Sequence, residues 1–190
     1  LLTLLAVVIA QGIATSIWYI ESKQKELEGI RSASSSMANM FASTVTFFQS
    51  LPVKYRHIVL DQIRNMGGTR FFVSFNKEAL IVEPIPDTRL KTASIEAIES
   101  VLSSKLNKVE SVRVDFSRPE HLRLLKNDIY LSDLPRSWAH HTLTLKPLNP
   151  PILVVQIELA SHEWVYIAAL LPAPYVKLDD TILGREQVIF

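Results

Sequence analysis

The first twenty residues of the chain form an apolar run without a single charged side chain. At a rise of about 1.5 Å per residue, a helix of about 20 such residues matches the roughly 30 Å hydrocarbon core of a bilayer. Trp18 and Tyr19 stand near the end of the run, and aromatic rings favour the level of the lipid headgroups. The run therefore predicts a transmembrane helix over residues 1–20, with Trp18 and Tyr19 at the membrane interface.

A cleavable secretory signal peptide is the alternative explanation of this run. Such a peptide has a shorter apolar core, about 7–15 residues, which closes on small residues. The run here ends in Ile17-Trp18-Tyr19-Ile20, which does not resemble a cleavage site. We therefore expect an uncleaved membrane anchor. We also expect further sequence on both sides of the chain, and Val188-Ile189-Phe190 is interpreted as the start of a second span.

The helical pattern continues beyond the anchor with the spacing of a coiled-coil seam. Apolar and small side chains recur three and four residues apart up to about Leu51, and Gly29 is the one weak point for a helix. We predict that the membrane-near half of this helix pairs with a second subunit and that its Phe-rich half packs on the chain's own domain. The predicted dimer seam consists of Leu27, Ile30, Ser34, Met37 and Phe41.

Composition excludes several classes of function. The chain of 190 residues has a formal net charge of +1, whereas a nucleic-acid-binding surface needs a basic excess. It has no cysteine, which excludes disulfides, thiolate catalysis and zinc–thiolate sites within it. About 170 residues remain outside the apolar run, and these suffice for one domain with a core of its own.

The residues after Leu51 predict an α+β domain with a mainly antiparallel sheet and flanking helices. The first two strands are expected to pair with each other, and the last two to form a hairpin through a four-residue link. The predicted elements are helices over 53–66 and 93–106, strands over 69–76, 109–116, 152–159 and 164–171, a helical turn over 119–126 and a short strand over 142–145.

Four segments are predicted along the chain. Their boundaries follow the change from the apolar run to the heptad spacing and the proline break after Leu51. They are the transmembrane helix (1–20), a helix with the dimer seam (21–51), the α+β domain (52–177) and an outgoing helix toward a second transmembrane span (178–190).

No catalytic motif and no cofactor motif is found in the chain. Of the five histidines, the adjacent His140 and His141 have neither a carboxylate nor a third ligand at a usual spacing, and no metal site and no catalytic residue is predicted. Arginines on or beside the predicted sheet can clamp a carboxylate or a phosphate with two parallel hydrogen bonds. The predicted ligand-binding residues are Arg70, Asn76, Arg56 and Arg113.

Several motifs accompany the anchor and its helix. They are the block from Tyr55-Arg56 through Met66-Gly67-Gly68-Thr69-Arg70-Phe71-Phe72-Val73-Ser74-Phe75-Asn76, Leu134-Pro135 with Trp138-Ala139, and Val154-Val155-Gln156-Ile157-Glu158 followed by Glu163-Trp164-Val165-Tyr166-Ile167-Ala168-Ala169-Leu170-Leu171-Pro172. In this combination the chain resembles, over nearly its whole length, the periplasmic sensor region of proteobacterial two-component sensor histidine kinases. The resemblance implies a PAS-like sheet flanked by a long N-terminal helix.

The same resemblance implies a larger protein around this chain. A HAMP-type linker, a phosphoacceptor-histidine helix and an ATP- and Mg-dependent kinase domain would follow a second span, and the protein would act as a homodimer on a response regulator. It would lie in the bacterial inner membrane, with residues after about 20 in the periplasm. The chain itself would be non-catalytic, without a cofactor, and open to a small-molecule ligand.

Two further interpretations remain open from the sequence. The same sensor domain can belong to a chemoreceptor or to a cyclic-dinucleotide enzyme. The chain can also be a membrane-anchored envelope protein whose domain is a docking surface for assembly. Sequence beyond Phe190 distinguishes them, because a second apolar span of about 20 residues favours signalling.

Overall fold

The computed structural model describes residues 2–65, 71–107, 109–125, 129–130, 150–172, 175 and 178. The predicted strand over 142–145 and nearly all of the predicted outgoing helix lie outside these residues. The helices are α1 (Leu2–Ser50), α2 (Val53–Asn65), α3 (Arg89–Lys105) and a 3₁₀ turn (Pro119–His121), and the strands are β1 (Phe72–Asn76), β2 (Val109–Ser117), β3 (Arg123–Leu125), β4 (Ile129–Tyr130), β5 (Ile152–Leu159) and β6 (Trp164–Ala169).

Helix α1 runs without a break for 49 residues. It is long and apolar enough to cross a membrane, and none of its apolar 18-residue window is buried against the part of the chain that the structure describes. The side chain of Trp18 is accordingly 64% exposed and that of Tyr19 42% exposed. One helix thus extends from the predicted membrane anchor to the far end of the predicted extracytoplasmic helix.

The second half of α1 packs against α3 and, with it, covers one face of the sheet. Its buried face includes Ile30, Ala38, Phe41 and Phe48, all at most 1% exposed. The rings of Phe41 and Phe48 each meet a phenylalanine of the β1 region edge to face, with centroids 5.0 Å apart. This layer of two helices on a sheet contains the main hydrophobic core.

Four antiparallel strands form the main sheet in the order β1-β6-β5-β2. The predicted α+β class and antiparallel sheet are therefore confirmed, as is the β5–β6 hairpin. The predicted pairing of β1 with β2 is wrong, because the two strands are opposite edges of the sheet. The hairpin lies between them because its strands are the most apolar of the four, and every residue of β6 is buried.

Two element boundaries also differ from the prediction. Helix α3 begins at Arg89 rather than 93, since the side chain of Thr88 accepts a hydrogen bond from Lys91 N and caps the helix. The helical turn predicted over 119–126 ends at His121, and a short strand follows.

The connection from β1 to α3 crosses the face of the sheet opposite to the helices. The backbone N–H of Leu80 donates a hydrogen bond to Oε1 of Gln156 on β5 at 2.7 Å, and Nε2 of Gln156 donates to the Leu80 carbonyl at 2.9 Å. Further along the connection, the backbone N–H of Ile85 donates a hydrogen bond to the carbonyl of Phe116 in β2. A second hydrophobic cluster forms beneath this crossing, and it includes Phe72, Leu122 and Tyr166. Both faces of the sheet are therefore covered, one by helices and the other by extended chain.

Candidate ligand-binding face of the sheet

A row of polar side chains crosses the face of the sheet opposite to the helices. The strand register places Ser74 beside Tyr166, Tyr166 beside Gln156, and Gln156 beside Arg113. Residues directly opposite each other on paired strands point to the same side of a sheet. The four strands thus each contribute one polar residue to a single row, between apolar residues of the second cluster.

Among the described residues, three buried side-chain polar atoms on this face have no hydrogen-bond partner: the Ser117 hydroxyl, and two atoms next to Trp164 in the sheet. The hydroxyl of Tyr166, a fully buried residue, is one, and the amide nitrogen of half-buried Asn76 is the other. Burial also raises the pKa of Tyr166 above its ordinary value, so the phenol stays a neutral donor. An unpartnered buried polar group costs about 1–3 kcal/mol. Both groups are therefore available to a further hydrogen-bonding partner.

An arginine and an indole lie together on this face. The exposed Arg113 places its guanidinium carbon 5.0 Å from the ring centroid of Trp164. Asn76 is the direct neighbour of Trp164 on the adjoining strand. Two of the predicted ligand-binding residues, Arg113 and Asn76, therefore flank the same indole. A guanidinium over an aromatic ring can still donate N–H groups to an anion.

Arg56 lies elsewhere and has partners within the chain. Its Nη1 donates to Glu163 Oε2 at 2.7 Å, and its Nε donates to the Leu51 carbonyl at 3.2 Å. Both side chains of the ion pair are largely buried, with exposed fractions of 7% and 14%. Arg56 fastens α2 to the β5–β6 hairpin rather than facing the polar row. Arg70, the fourth predicted residue, falls outside the described residues.

The predicted dimer seam is occupied within the chain. Ile30, Ser34, Met37 and Phe41 are all buried, and the hydroxyls of Ser34 and Ser94 meet at 2.6 Å between α1 and α3. Leu27 is partly buried at the edge of the same core. In this fold α3 covers the face that was assigned to a second subunit. Dimerisation itself stays a prediction.

The sequence reasoning missed Tyr166 and Gln156. Both are polar residues inside apolar strands, in the runs Trp164-Val165-Tyr166-Ile167 and Val154-Val155-Gln156-Ile157. A polar residue in a strand buried on both faces needs a partner, which is a signal that the sequence carries. The partner of Gln156 is Leu80 of a distant connection, which no local pattern identifies.

One comparison with known proteins finds a relative of the whole chain. It is the sensor histidine kinase GtrS of Pseudomonas aeruginosa, 48% identical over 189 residues, which are 100% of this chain and 40% of that protein. The chain therefore spans less than half the length of this relative. No family model matches the chain, and no solved structure matches it significantly.

Proposed function

The chain is homologous along its whole length to part of a bacterial sensor histidine kinase, and from this premise we propose that it is the signal-input domain of a membrane-bound kinase of that kind. The stimulus would act on the domain, and the change would pass through the membrane helix. The kinase core, its ATP and Mg, and its response regulator would belong to the rest of the protein.

The continuity of α1 is the observation that supports a relay most directly. The same helix carries the exposed apolar run and, further along, the core residues Phe41 and Phe48. A change in how the sheet packs on α1 would therefore displace or rotate the apolar part, because a helix is stiff over this length. The domain would lie in the periplasm and the helix in the inner membrane.

We propose that the ligand of this domain binds beside Arg113, the exposed residue of the polar row. Arg113 and Asn76 flank Trp164, so a small molecule with a carboxylate or phosphate group would bind the guanidinium and lie against the indole. The buried donors beneath are positioned for hydroxyl or carbonyl oxygens of the same molecule. Arg56 is left out of this site because its partners lie within the chain.

We also propose a homodimer, with a different face of α1 at the interface. The outward face of the helix carries small, exposed side chains, namely Ser32, Ser36 and Ser43. Small residues allow two helices to approach closely. The predicted seam is covered by α3 and is therefore not available for such a contact between subunits. Two such helices from neighbouring subunits would transmit their relative movement across the membrane.

A labelling experiment tests the membrane arrangement. Ala160 is exposed in the β5–β6 link, and the chain has no cysteine of its own, so Ala160→Cys introduces a single reporter into this region. In intact cells we expect a membrane-impermeant maleimide to label it. The control is Ile30→Cys, which is fully buried and should react only after denaturation.

The opposite labelling result would overturn the proposal. If Ala160→Cys reacts only after the cells are opened, the domain is cytoplasmic and cannot be an extracytoplasmic input. The kinase assignment is measured separately, by phosphate transfer from ATP to histidine in the full-length protein. Absence of any transfer would favour an anchored docking protein instead.

A further inference from the structure

Three potential metal ligands converge at the corner where β2, β5 and the β5–β6 link meet. They are Glu110, Glu158 and His162, and one ligand atom of each lies within 4.8 Å of the other two. His162 Nδ1 is 3.7 Å from Glu110 Oε2 and 3.9 Å from Glu158 Oε1. This corner adjoins the polar row, since Glu158 is the direct neighbour of Trp164 on the adjoining strand. Its three ligands take no part in the proposed relay.

The backbone positions two of these ligands. The register of β2 and β5 passes from Val109↔Leu159 to Ser111↔Glu158, so Glu110 is the extra residue of a β-bulge. A bulge redirects a side chain, and here it brings Glu110 to the carboxylate of Glu158. His162 has a left-handed backbone with φ of 55°, in a turn closed by its N–H on the Leu159 carbonyl at 2.9 Å.

The charges at this corner favour a cation. Two carboxylates lie side by side, and like charges on neighbouring strands repel each other. A third carboxylate nearby, that of Glu163, is already paired with Arg56. The guanidinium of Arg113 lies over Trp164. A divalent ion between the two free carboxylates would turn their repulsion into attraction.

We propose that Glu110, Glu158 and His162 bind a divalent transition-metal ion, with zinc as the reference ion. One imidazole and two carboxylates suit such an ion better than calcium or magnesium, which prefer oxygen alone. Bonds of about 2.0–2.2 Å require the donors to approach one another by about 1 Å. The exposed fractions of 46%, 23% and 80% leave room for this and for water on the ion.

Other histidine–carboxylate pairs supply an internal comparison. His121 Nδ1 lies 3.0 Å from Glu83 Oε2, closer than either contact of His162. Among the described residues, however, only the corner at His162 brings three potential ligands together. The His121–Glu83 pair therefore serves as a control. It would bind metal as well as the corner does only if one histidine and one carboxylate were sufficient.

The test titrates zinc into the purified chain in detergent micelles by calorimetry, with cobalt as a spectroscopic probe. We expect one zinc per chain and visible cobalt bands that zinc removes. His162→Asn should weaken zinc binding at least tenfold, because Asn tolerates the left-handed backbone but removes the imidazole. Glu158→Gln should weaken it in the same way. The control His121→Asn should leave it unchanged.

Two results would overturn the site. One is zinc binding of equal strength in the wild type and His162→Asn, and the other is loss of binding in His121→Asn alone. Circular dichroism checks that each variant is folded, which we expect because the two histidine side chains are largely exposed and Glu158→Gln keeps the size of the side chain. Zinc should also raise the unfolding temperature of the wild type but not that of His162→Asn. Kinase activity and membrane topology do not enter this test.

Discussion

Arg56 is a buried charge on α2, a helix whose apolar residues are divided between the core, where Leu60 is buried, and the surface. Val53, Tyr55 and Ile58 are about half exposed, whereas Arg56 is 6% exposed. The sequence suggested that Arg56 binds a ligand. Its actual ion-pair partner is Glu163, which lies more than 100 residues further along the chain and which no local sequence pattern identifies. Arg56 thus shares the inward face of α2 with Leu60, and the ion pair compensates its charge there.

Removing one partner of this pair should destabilise the domain strongly. In Arg56→Ala the carboxylate of Glu163 would stay in a largely buried site without its cation, and such losses cost about 3–5 kcal/mol. The measurement is the free energy of urea unfolding of the purified chain. Glu163→Gln should act in the same direction.

Glu83→Gln is the matched control for this prediction. Glu83 also pairs with a cationic group, His121, but its side chain is 69% exposed. Exposed pairs contribute about 0–1 kcal/mol, so the unfolding curve should hardly move. A small effect of Arg56→Ala, comparable to that of the control, would contradict a structural role and return Arg56 to the candidate ligand-binding residues.

At the scale of elements, the spacing in α1 predicted a helix and its buried face correctly. Ile30, Ser34 and Phe41 are buried, as a seam requires. The identity of the covering element could not be predicted, because an apolar stripe packs equally well on a second subunit or on a helix of the same chain. Helix α3 takes this place here, and the Ser34–Ser94 contact matches one small polar residue with another.

Gly29 marks where the end of the domain meets α1. A Cβ atom built at this position would overlap the Tyr175 hydroxyl and lie 2.7 Å from its Cζ. Nearby, the Thr88 hydroxyl donates to the Leu178 carbonyl at 2.9 Å, and Leu178 is buried. The residue that the sequence marked as the weak point of the helix is thus a contact site for the segment that leaves the domain.

Gly29→Ala should therefore destabilise the domain, although Ala is usually the better helix residue by about 1 kcal/mol. Overpacking of this kind costs about 1–3 kcal/mol, and the midpoint of urea unfolding should fall. Adding Tyr175→Ala should cancel most of the cost of Gly29→Ala, because the overlapping ring is gone. Gly12→Ala meets nothing within 4 Å and is the control. A stabilised Gly29→Ala would contradict the contact.

At the scale of the whole molecule, the class of the fold was predictable and the order of its strands was not. Alternating residues define each strand, and the short link defines the β5–β6 hairpin. The position of β1 and β2 at opposite edges depends on the crossing connection and its bonds from Leu80 to Gln156, which join residues 76 apart in sequence. The polar row on the far face depends on the same register, so it could be recognised only once the sheet was known.

Disulfide cross-linking in membranes decides which face of α1 meets a second subunit. Ser34 and Ser36 differ by about 200° around the helix, and the first is fully buried while the second is exposed. Because this chain has no cysteine, each Ser→Cys variant carries one thiol in the region. We expect Ser36→Cys to give cross-linked dimers under mild oxidation and Ser34→Cys to give none.

The reverse pattern would mean that α3 leaves α1 in the assembled protein, so that the seam expected from the sequence forms between subunits after all. Cross-linking at neither position would contradict a dimer along this helix, and a relay would then have to pass through each subunit alone. Ser43→Cys, also exposed two turns further from the membrane, extends the measurement. If Ser36 and Ser43 both cross-link, two α1 helices run side by side over that length, and a shift of one against the other becomes the movement that reaches the membrane.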